Sequence, residues 1–120
     1  SPVRIILDRQ GRMPQTSRIA QTVGEHATWV LSTPTLEEAL ASLAEKGITR
    51  VLVEAGQGLN TAFLQSGMVD RIYWFKAPHM IGESGLDAFQ NGAGFPNTPH
   101  WTLKADTAIG QDRLHIWDYL

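Results

Sequence analysis

The chain has 120 residues, no cysteine and a formal net charge of −2 at pH 7. Its 42% hydrophobic and 18% charged residues predict one folded domain, residues 1–120, with a buried core. The slight acidity argues against nucleic acid or an anionic membrane as the main partner. The absence of cysteine excludes disulfides and thiolate or cysteine–zinc chemistry, which suits the cytoplasm. No apolar run approaches the length of a membrane-spanning helix.

The first half of the chain predicts two strands followed by a helix. Residues 3–7 and 27–32 are rich in apolar and β-branched side chains, so we expect strands there, with at most one helical turn between them. Thr35 and Glu38 form a capping box that predicts the start of a helix, and Gly47 marks its end. This helix carries one apolar face, formed by Leu36, Ala39, Leu40, Leu43 and Ala44.

A group of arginines lies near the N-terminus. The first 24 residues hold Arg4, Arg9, Arg12 and Arg18 against a single carboxylate, Asp8. Such a group fits either an anionic ligand or a solvated face. Arg9 is the best ligand candidate because it follows a predicted strand, and ligands of open α/β sheets bind beyond the carboxyl ends of strands.

The functional argument rests on the stretch that begins after Arg50. Residues 51–53 are apolar and β-branched, which predicts a strand buried on both faces. The chain then breaks at Gly56 and Gly58 and resumes with helical spacing up to Gly67. A strand, a glycine turn and a helix present free N–H groups at the positive end of the helix dipole, where an anion such as phosphate binds well.

Two interpretations of this stretch remain open from the residues alone. Glycine at such a turn is often required only because the backbone needs a positive φ. The pattern is neither the full dinucleotide fingerprint nor a P-loop, since no Gly-Lys-Ser/Thr follows. Glu54, at the predicted strand end, is either a ligand contact or a solvated edge residue.

The rest of the chain predicts an antiparallel C-terminal region. Residues 72–75 are apolar on both faces, which predicts an interior strand. Residues 82–98 predict a loop anchored by Leu86, Ala88 and Phe89. Residues 101–108 and 113–119 predict an antiparallel hairpin, whereas the strand–helix–strand order before them predicts parallel pairing with right-handed crossovers. The four histidines lack metal-ligand spacing, so we expect no metal site.

Six segments of the chain carry a resemblance to a known family. They are RIILDRQGRMP at 4–14, VLVEAG at 51–56, GL at 58–59, AFL at 62–64, GMVD at 67–70 and APHMIG at 77–82. Together they resemble the reductase domain of bacterial riboflavin biosynthesis, usually the C-terminal half of a bifunctional deaminase–reductase. Ala55, Arg71 and Glu83 depart from the commoner residues of that family. The resemblance implies an α/β fold with three α/β/α layers, a dihydrofolate-reductase-like and mainly parallel mixed sheet, and a C-terminal antiparallel hairpin.

The resemblance also implies a reaction and a set of contacts. NADPH would reduce the ribosylamino group of 5-amino-6-(5-phosphoribosylamino)uracil to a ribitylamino product, with Glu54 facing this phosphorylated pyrimidine. It further implies an N-terminal deaminase domain in the parent chain and a homodimer. Arg9 would lie near the adenosine end of NADPH, and the remaining cofactor contacts would be Gly56, Gln57, Gly58, Leu59, Asn60, Thr61 and Ala62.

The first segment of the family's domain has no counterpart in these residues. We therefore expect the chain alone to bind NADPH weakly, to self-associate through an exposed patch or edge strand, and to lack turnover. Two other functions stay open: a non-catalytic nucleotide-binding or oligomerisation module of the same fold, and a dihydrofolate-reductase-like reductase of another substrate.

Overall fold

The computed structural model describes residues 2–96 and 99–119, without the side chain of Asn91. The chain divides into two compact units, Ser1–Val51 and Leu52–Leu120. That the whole chain forms one domain stays a prediction. No helix in the described ranges has the length and apolar character needed to cross a membrane.

The first unit pairs two short strands in parallel. Strand β1 is Arg4–Leu7 and strand β2 is Thr28–Leu31, with a single-turn helix α1, Arg18–Gln21, between them. The two strands run parallel in the register Arg4 to Thr28 through Leu7 to Leu31. Both predicted strands are therefore confirmed, and they pair in parallel. The parallel pairing predicted for the strand–helix–strand units that follow is wrong, because residues 51–53 form no strand and residues 71–76 pair antiparallel with residues 112–119.

Helix α2, Leu36–Glu45, covers this pair and encloses the core of the first unit. The Thr35 hydroxyl accepts the Glu38 N–H at 3.2 Å, which satisfies one free donor of the first turn. Gly47 follows the last turn with φ +87°, a left-handed conformation that glycine adopts without strain. Leu31, Ala39 and Leu43 form the buried core, as the apolar face of the sequence predicts.

The second unit begins with helix α3, Gln57–Ser66, and continues into an antiparallel sheet. Its strands are β3, Arg71–Lys76, β4, Trp101–Ile109, and β5, Asp112–Tyr119, in the order β3-β5-β4. The C-terminal hairpin is confirmed, with an irregularity in its register between Leu103 and Ala105. The α/β class, with a parallel pair and a C-terminal antiparallel hairpin, is confirmed as well.

An aromatic cluster fills the second unit. Phe95 is buried and its ring lies 5.2 Å from that of Trp74 and 5.4 Å from that of Trp117, measured between centroids. Phe89 also contacts Trp74 and Phe95, and a short 3-10 helix, Gln90–Gly94, connects the two phenylalanines. Phe89 therefore anchors the predicted loop.

Other parts of that loop prediction need correction. Leu86 is 83% exposed and Ala88 is also exposed, so neither anchors the segment. Leu86 lies between turn residues, so it belongs to no helix or strand face that packs on a core. Sequence periodicity does not reveal that such an apolar residue is exposed. The end of the predicted loop, at Thr98, lies outside the described residues.

Two strand predictions were also wrong, one in the existence of the strand and one in its position in the sheet. Residues 51–53 form no strand, and Leu52 is 73% exposed. This apolar run lies where the two units divide and pairs with no described strand, and a strand needs a partner for its N–H and C=O groups. Strand β3 was predicted to be interior, but it pairs only with β5 among the described strands and leaves Tyr73 and Phe75 exposed.

Candidate functional site

The N-terminus of α3 offers free hydrogen-bond donors. Gly56 is the N-cap residue, and no side chain caps the helix. The first bond of the helix runs from the Asn60 N–H to the Gly56 carbonyl, at 3.0 Å. The N–H groups of the three residues before Asn60 therefore have no partner among the described residues. These donors and the helix dipole together favour an anion at this end.

The glycines of this turn are not required by the backbone. Neither Gly56 nor Gly58 has a positive φ, and a Cβ atom at either position would meet no described atom within 4 Å apart from those of its chain neighbours and its own helix backbone. Gly67, which ends the same helix at φ +74°, is the opposite case. The explanation that the turn needs a positive φ is therefore wrong for Gly56 and Gly58. Because glycine has no side chain, Gly56 and Gly58 leave open space beside the free N–H groups.

Two polar side chains of the helix start bind the chain itself. The Asn60 side-chain amide donates to the Ala55 carbonyl at 3.0 Å and closes the turn that leads into α3. The Thr61 hydroxyl donates to the Gln57 carbonyl at 2.7 Å and accepts the Gln90 N–H at 2.8 Å. The bond to Gln90 joins residues 29 positions apart, so local sequence patterns do not reveal it.

The other predicted contacts of this segment surround the open turn. Glu54 is exposed and lies two residues before Gly56, although the strand predicted to carry it is absent. Ala62 is exposed, whereas Gln57 and Leu59 are half-buried. The structure thus brings all predicted contacts from Glu54 to Ala62 into one unit, around the start of α3.

Arg9 lies in the first unit, in the turn that follows β1. Its side chain is exposed, and one guanidinium nitrogen donates to the Pro34 carbonyl at 3.3 Å. The Asp8 carboxylate holds this turn by accepting the Met13 N–H at 2.9 Å and the Arg12 N–H at 2.8 Å. These two bonds lower the pKa of Asp8, the bond from Met13 most strongly. Arg9 therefore lies on a turn that hydrogen bonds hold in place, and its contact with NADPH stays a prediction.

Arg4 differs from the other arginines of the N-terminal group. Its guanidinium donates to the hydroxyls of Thr22 and Thr28 at 2.8 Å and to the Thr22 carbonyl at 3.1 Å. These bonds tie β1 to α1 and β2, so Arg4 serves the fold. A hollow of about 320 Å³ beside it contains none of the predicted site residues and is lined by Arg4, Arg18, Ile19, Thr22, Glu25 and His26.

The chain is similar in sequence and in fold to known riboflavin biosynthesis proteins. The riboflavin biosynthesis protein RibD of Bacillus amyloliquefaciens is 30% identical to the chain over 92% of its length. The RibD structure of Acinetobacter baumannii, form 2, superimposes on 98% of the chain with a TM-score of 0.80 and 27% identity. A Thermotoga maritima structure, a diaminohydroxyphosphoribosylaminopyrimidine deaminase/5-amino-6-(5-phosphoribosylamino)uracil reductase, gives a TM-score of 0.79 at 23% identity.

The chain corresponds to only part of each relative. It spans 37% of the Bacillus protein, 37% of the Acinetobacter chain and 38% of the Thermotoga chain. The sequence model of the RibD C-terminal domain matches residues 1–115. Since that match covers nearly the whole chain, and the relatives share both its sequence and its fold, the chain belongs to the RibD C-terminal domain family.

Proposed function

We propose that the chain is the reductase part of a riboflavin-pathway enzyme, which uses NADPH to reduce 5-amino-6-(5-phosphoribosylamino)uracil to its ribitylamino product. The observation that carries this proposal is the start of α3, where free N–H groups adjoin two glycines that the backbone does not require. Membership of the RibD C-terminal domain family supports it, and the Thermotoga relative is named for this reductase activity.

The residues at the start of α3 fit the phosphates of such a cofactor. A pyrophosphate carries negative charge and accepts hydrogen bonds, which matches uncapped N–H groups at a positive helix end. The open space at Gly56 and Gly58 lets phosphate oxygens approach the backbone. NADPH, when bound, supplies the hydride, and the chain contributes binding, orientation and electrostatics. Asn60 would act by holding the turn, since its side-chain amide is bonded to the Ala55 carbonyl.

Two charged side chains, one in each unit, have further proposed ligand contacts. Arg9 is exposed and would contact the 2′-phosphate that distinguishes NADPH from NADH. Glu54 is exposed beside the phosphate turn and would accept a hydrogen bond from the pyrimidine substrate. Both roles rest on the family resemblance together with this exposure.

We also propose the partners implied by the family. An N-terminal deaminase domain fits the relatives, which are much longer than this chain. A homodimer is supported by Tyr73 and Phe75, two large exposed side chains on one face of the antiparallel sheet. A cytoplasmic location remains part of the same proposal.

Calorimetric titration with NADPH and NADH tests the cofactor assignment. We expect NADPH to bind more tightly, and Arg9→Ala to reduce this preference by about tenfold or more, the effect of one good charge-assisted hydrogen bond. Arg18→Ala is the matched control, because Arg18 is another exposed arginine of the first unit. An unchanged preference in Arg9→Ala would remove Arg9 from the site.

The reaction is tested in the parent enzyme, because the chain alone is expected to lack turnover, by following NADPH oxidation with 5-amino-6-(5-phosphoribosylamino)uracil and with dihydrofolate. Oxidation dependent on the pyrimidine supports the proposal. Oxidation dependent on dihydrofolate alone would indicate a reductase of another substrate. Binding of NADPH without oxidation in the presence of either substrate would instead favour a non-catalytic nucleotide-binding module, and failure to bind either nucleotide would favour an oligomerisation module.

A further inference from the structure

Thr61 is the only buried polar side chain among the described residues, with 5% of its surface exposed. A buried hydroxyl without hydrogen-bond partners is unfavourable, so its partners identify its role. Thr61 lies on the second turn of α3, within the segment that the family resemblance assigns to the cofactor. Its burial is unexpected for a residue that touches a phosphate.

Both hydrogen-bonding capacities of the Thr61 hydroxyl are used inside the chain. It donates to the Gln57 carbonyl, in the first turn of the same helix, at 2.7 Å. It accepts the backbone N–H of Gln90 at 2.8 Å. One hydroxyl therefore links the first turn of α3 to a segment that is distant in sequence.

The segment that donates this hydrogen bond is itself fixed to the sheet. Gln90 is the first residue of the 3-10 helix Gln90–Gly94, and its N-cap residue, Phe89, has no side-chain acceptor to offer. Thr61 thus supplies the missing cap from another element. Phe89 and Phe95, at the two ends of this short helix, pack on Trp74 of β3. The start of α3 is connected to the sheet through this path.

We propose that Thr61 is a positioning residue, which holds the first turn of α3 against residues 89–95 so that the free N–H groups stand ready for the cofactor phosphates. This inference rests on the proposed function for its ligand. It assigns Thr61 a different role from the direct cofactor contact that the resemblance implies. The hydroxyl group, and no other part of the Thr61 side chain, provides this positioning.

Two substitutions separate the hydroxyl from the shape of the side chain. Thr61→Val keeps the shape and removes the hydroxyl, whereas Thr61→Ser keeps the hydroxyl. In the full chain without ligand, we expect Thr61→Val to speed amide hydrogen exchange at Gln90 and at Asn60, whose N–H makes the first bond of α3. Thr61→Ser should restore slow exchange at both amides.

Binding of NADPH is the second measurement. Thr61→Val should weaken binding by about tenfold, as expected for the loss of one hydrogen bond, and Thr61→Ser should stay near the wild-type affinity. Ile116→Val is the control for general destabilisation, since it shortens a half-buried side chain of β5 that is not part of this path. It should lower the melting temperature without changing the NADPH affinity.

The two measurements keep the inference distinct from the proposed function. If the wild-type chain does not bind NADPH, the proposed function fails, and exchange at Asn60 alone decides whether Thr61 holds the helix start. If exchange quickens at Gln90 but not at Asn60, Thr61 only caps the 3-10 helix and the inference is wrong. Unchanged NADPH affinity in Thr61→Val would also overturn it.

Discussion

The polar groups of the two units differ in what they bind. In the first unit, the Arg4 guanidinium and the Asp8 carboxylate are occupied by groups of the same unit. In the second unit, the start of α3 leaves backbone donors without a partner among the described residues, beside an exposed Glu54. These two charged groups of the first unit are engaged within it, whereas the start of α3 in the second unit has backbone donors that no described residue engages.

This difference shows why charge alone is a poor guide to a binding site. The arginines near the N-terminus are the most conspicuous charged group of the sequence, yet Arg4 is fully engaged in holding β1. The neutral turn at Gly56 is less conspicuous, but its donors have no partner among residues 2–96 and 99–119, and they adjoin open space. Groups that the fold leaves unused are the better candidates for a ligand.

The largest expected effect is a loss of stability when a residue of the first unit is changed. Arg4→Ala leaves the hydroxyls and carbonyl that accept from Arg4 without their donor, so the free energy of unfolding should fall by about 2–3 kcal/mol. Arg18→Ala removes an exposed arginine and should change it by less than about 0.5 kcal/mol. Urea denaturation measures both. Equal effects of the two substitutions would contradict the structural role of Arg4.

Glu54→Gln probes the second unit, where we expect activity to fall and stability to stay nearly unchanged. The exposed side chain has no described partner, so the free energy of unfolding should change by less than about 0.5 kcal/mol. Reductase activity in the parent enzyme should fall by about tenfold to a hundredfold, the range for losing a hydrogen bond to a charged group. Glu83→Gln, another exposed carboxylate of this unit, is the control. A destabilised protein with normal activity per folded molecule would assign Glu54 to the scaffold.

Gly58→Ala should change stability and binding in opposite directions. Alanine within α3 meets no atom of the chain, so the free energy of unfolding should rise by about 0.5–1 kcal/mol. The added methyl group occupies the space beside the free N–H groups, so NADPH should bind about tenfold more weakly, or by about 1.4 kcal/mol. Gly24→Ala, also at a negative φ in open space, should leave binding unchanged. Tighter or equal binding in Gly58→Ala would remove the phosphates from this turn.

The smallest expected effect is on the pH dependence of stability in the first unit. Because the pKa of Asp8 is lowered in the folded chain, its carboxylate stabilises the fold above its unfolded pKa of about 3.9, and this contribution disappears as pH falls through the folded value. Denaturation from about pH 6 to about pH 2.5 should show a smaller loss of stability in Asp8→Asn than in the wild type. Asp87→Asn, an exposed control, should follow the wild-type profile. Parallel profiles for Asp8→Asn and the wild type would contradict the role of the two N–H bonds.

Local patterns predicted the elements that depend on nearby residues. The cap at Thr35, the glycine after α2 and the C-terminal hairpin involve residues close in sequence, and all are confirmed. The helix after the glycine turn was also predicted, but its helical spacing in the sequence begins at Leu59, whereas α3 begins at Gln57 and includes Gly58.

The features that depend on distant partners were missed or wrong. Residues 51–53 have strand-like composition, but composition does not supply a neighbouring strand. The bond between Thr61 and Gln90 and the occupation of Arg4 by Thr22 and Thr28 join distant residues. The contacts of Arg9 and Glu54 with ligands stay predictions, because they depend on molecules outside the chain.

The edges of the antiparallel sheet bear on the solubility of the chain. Strand β3 has the apolar sequence Ile72 to Phe75 between Arg71 and Lys76, and an antiparallel pair of two β3 strands would set these cations against each other. Strand β4, at the other edge, carries the register irregularity after Leu103, which disturbs a continuous ladder. Both features oppose the edge-to-edge stacking that leads to fibrils. Concentrated salt screens the cations, so the chain should aggregate earlier in high salt than in low salt, and Lys76→Ala should aggregate earlier than the wild type. Light scattering measures the onset of this aggregation.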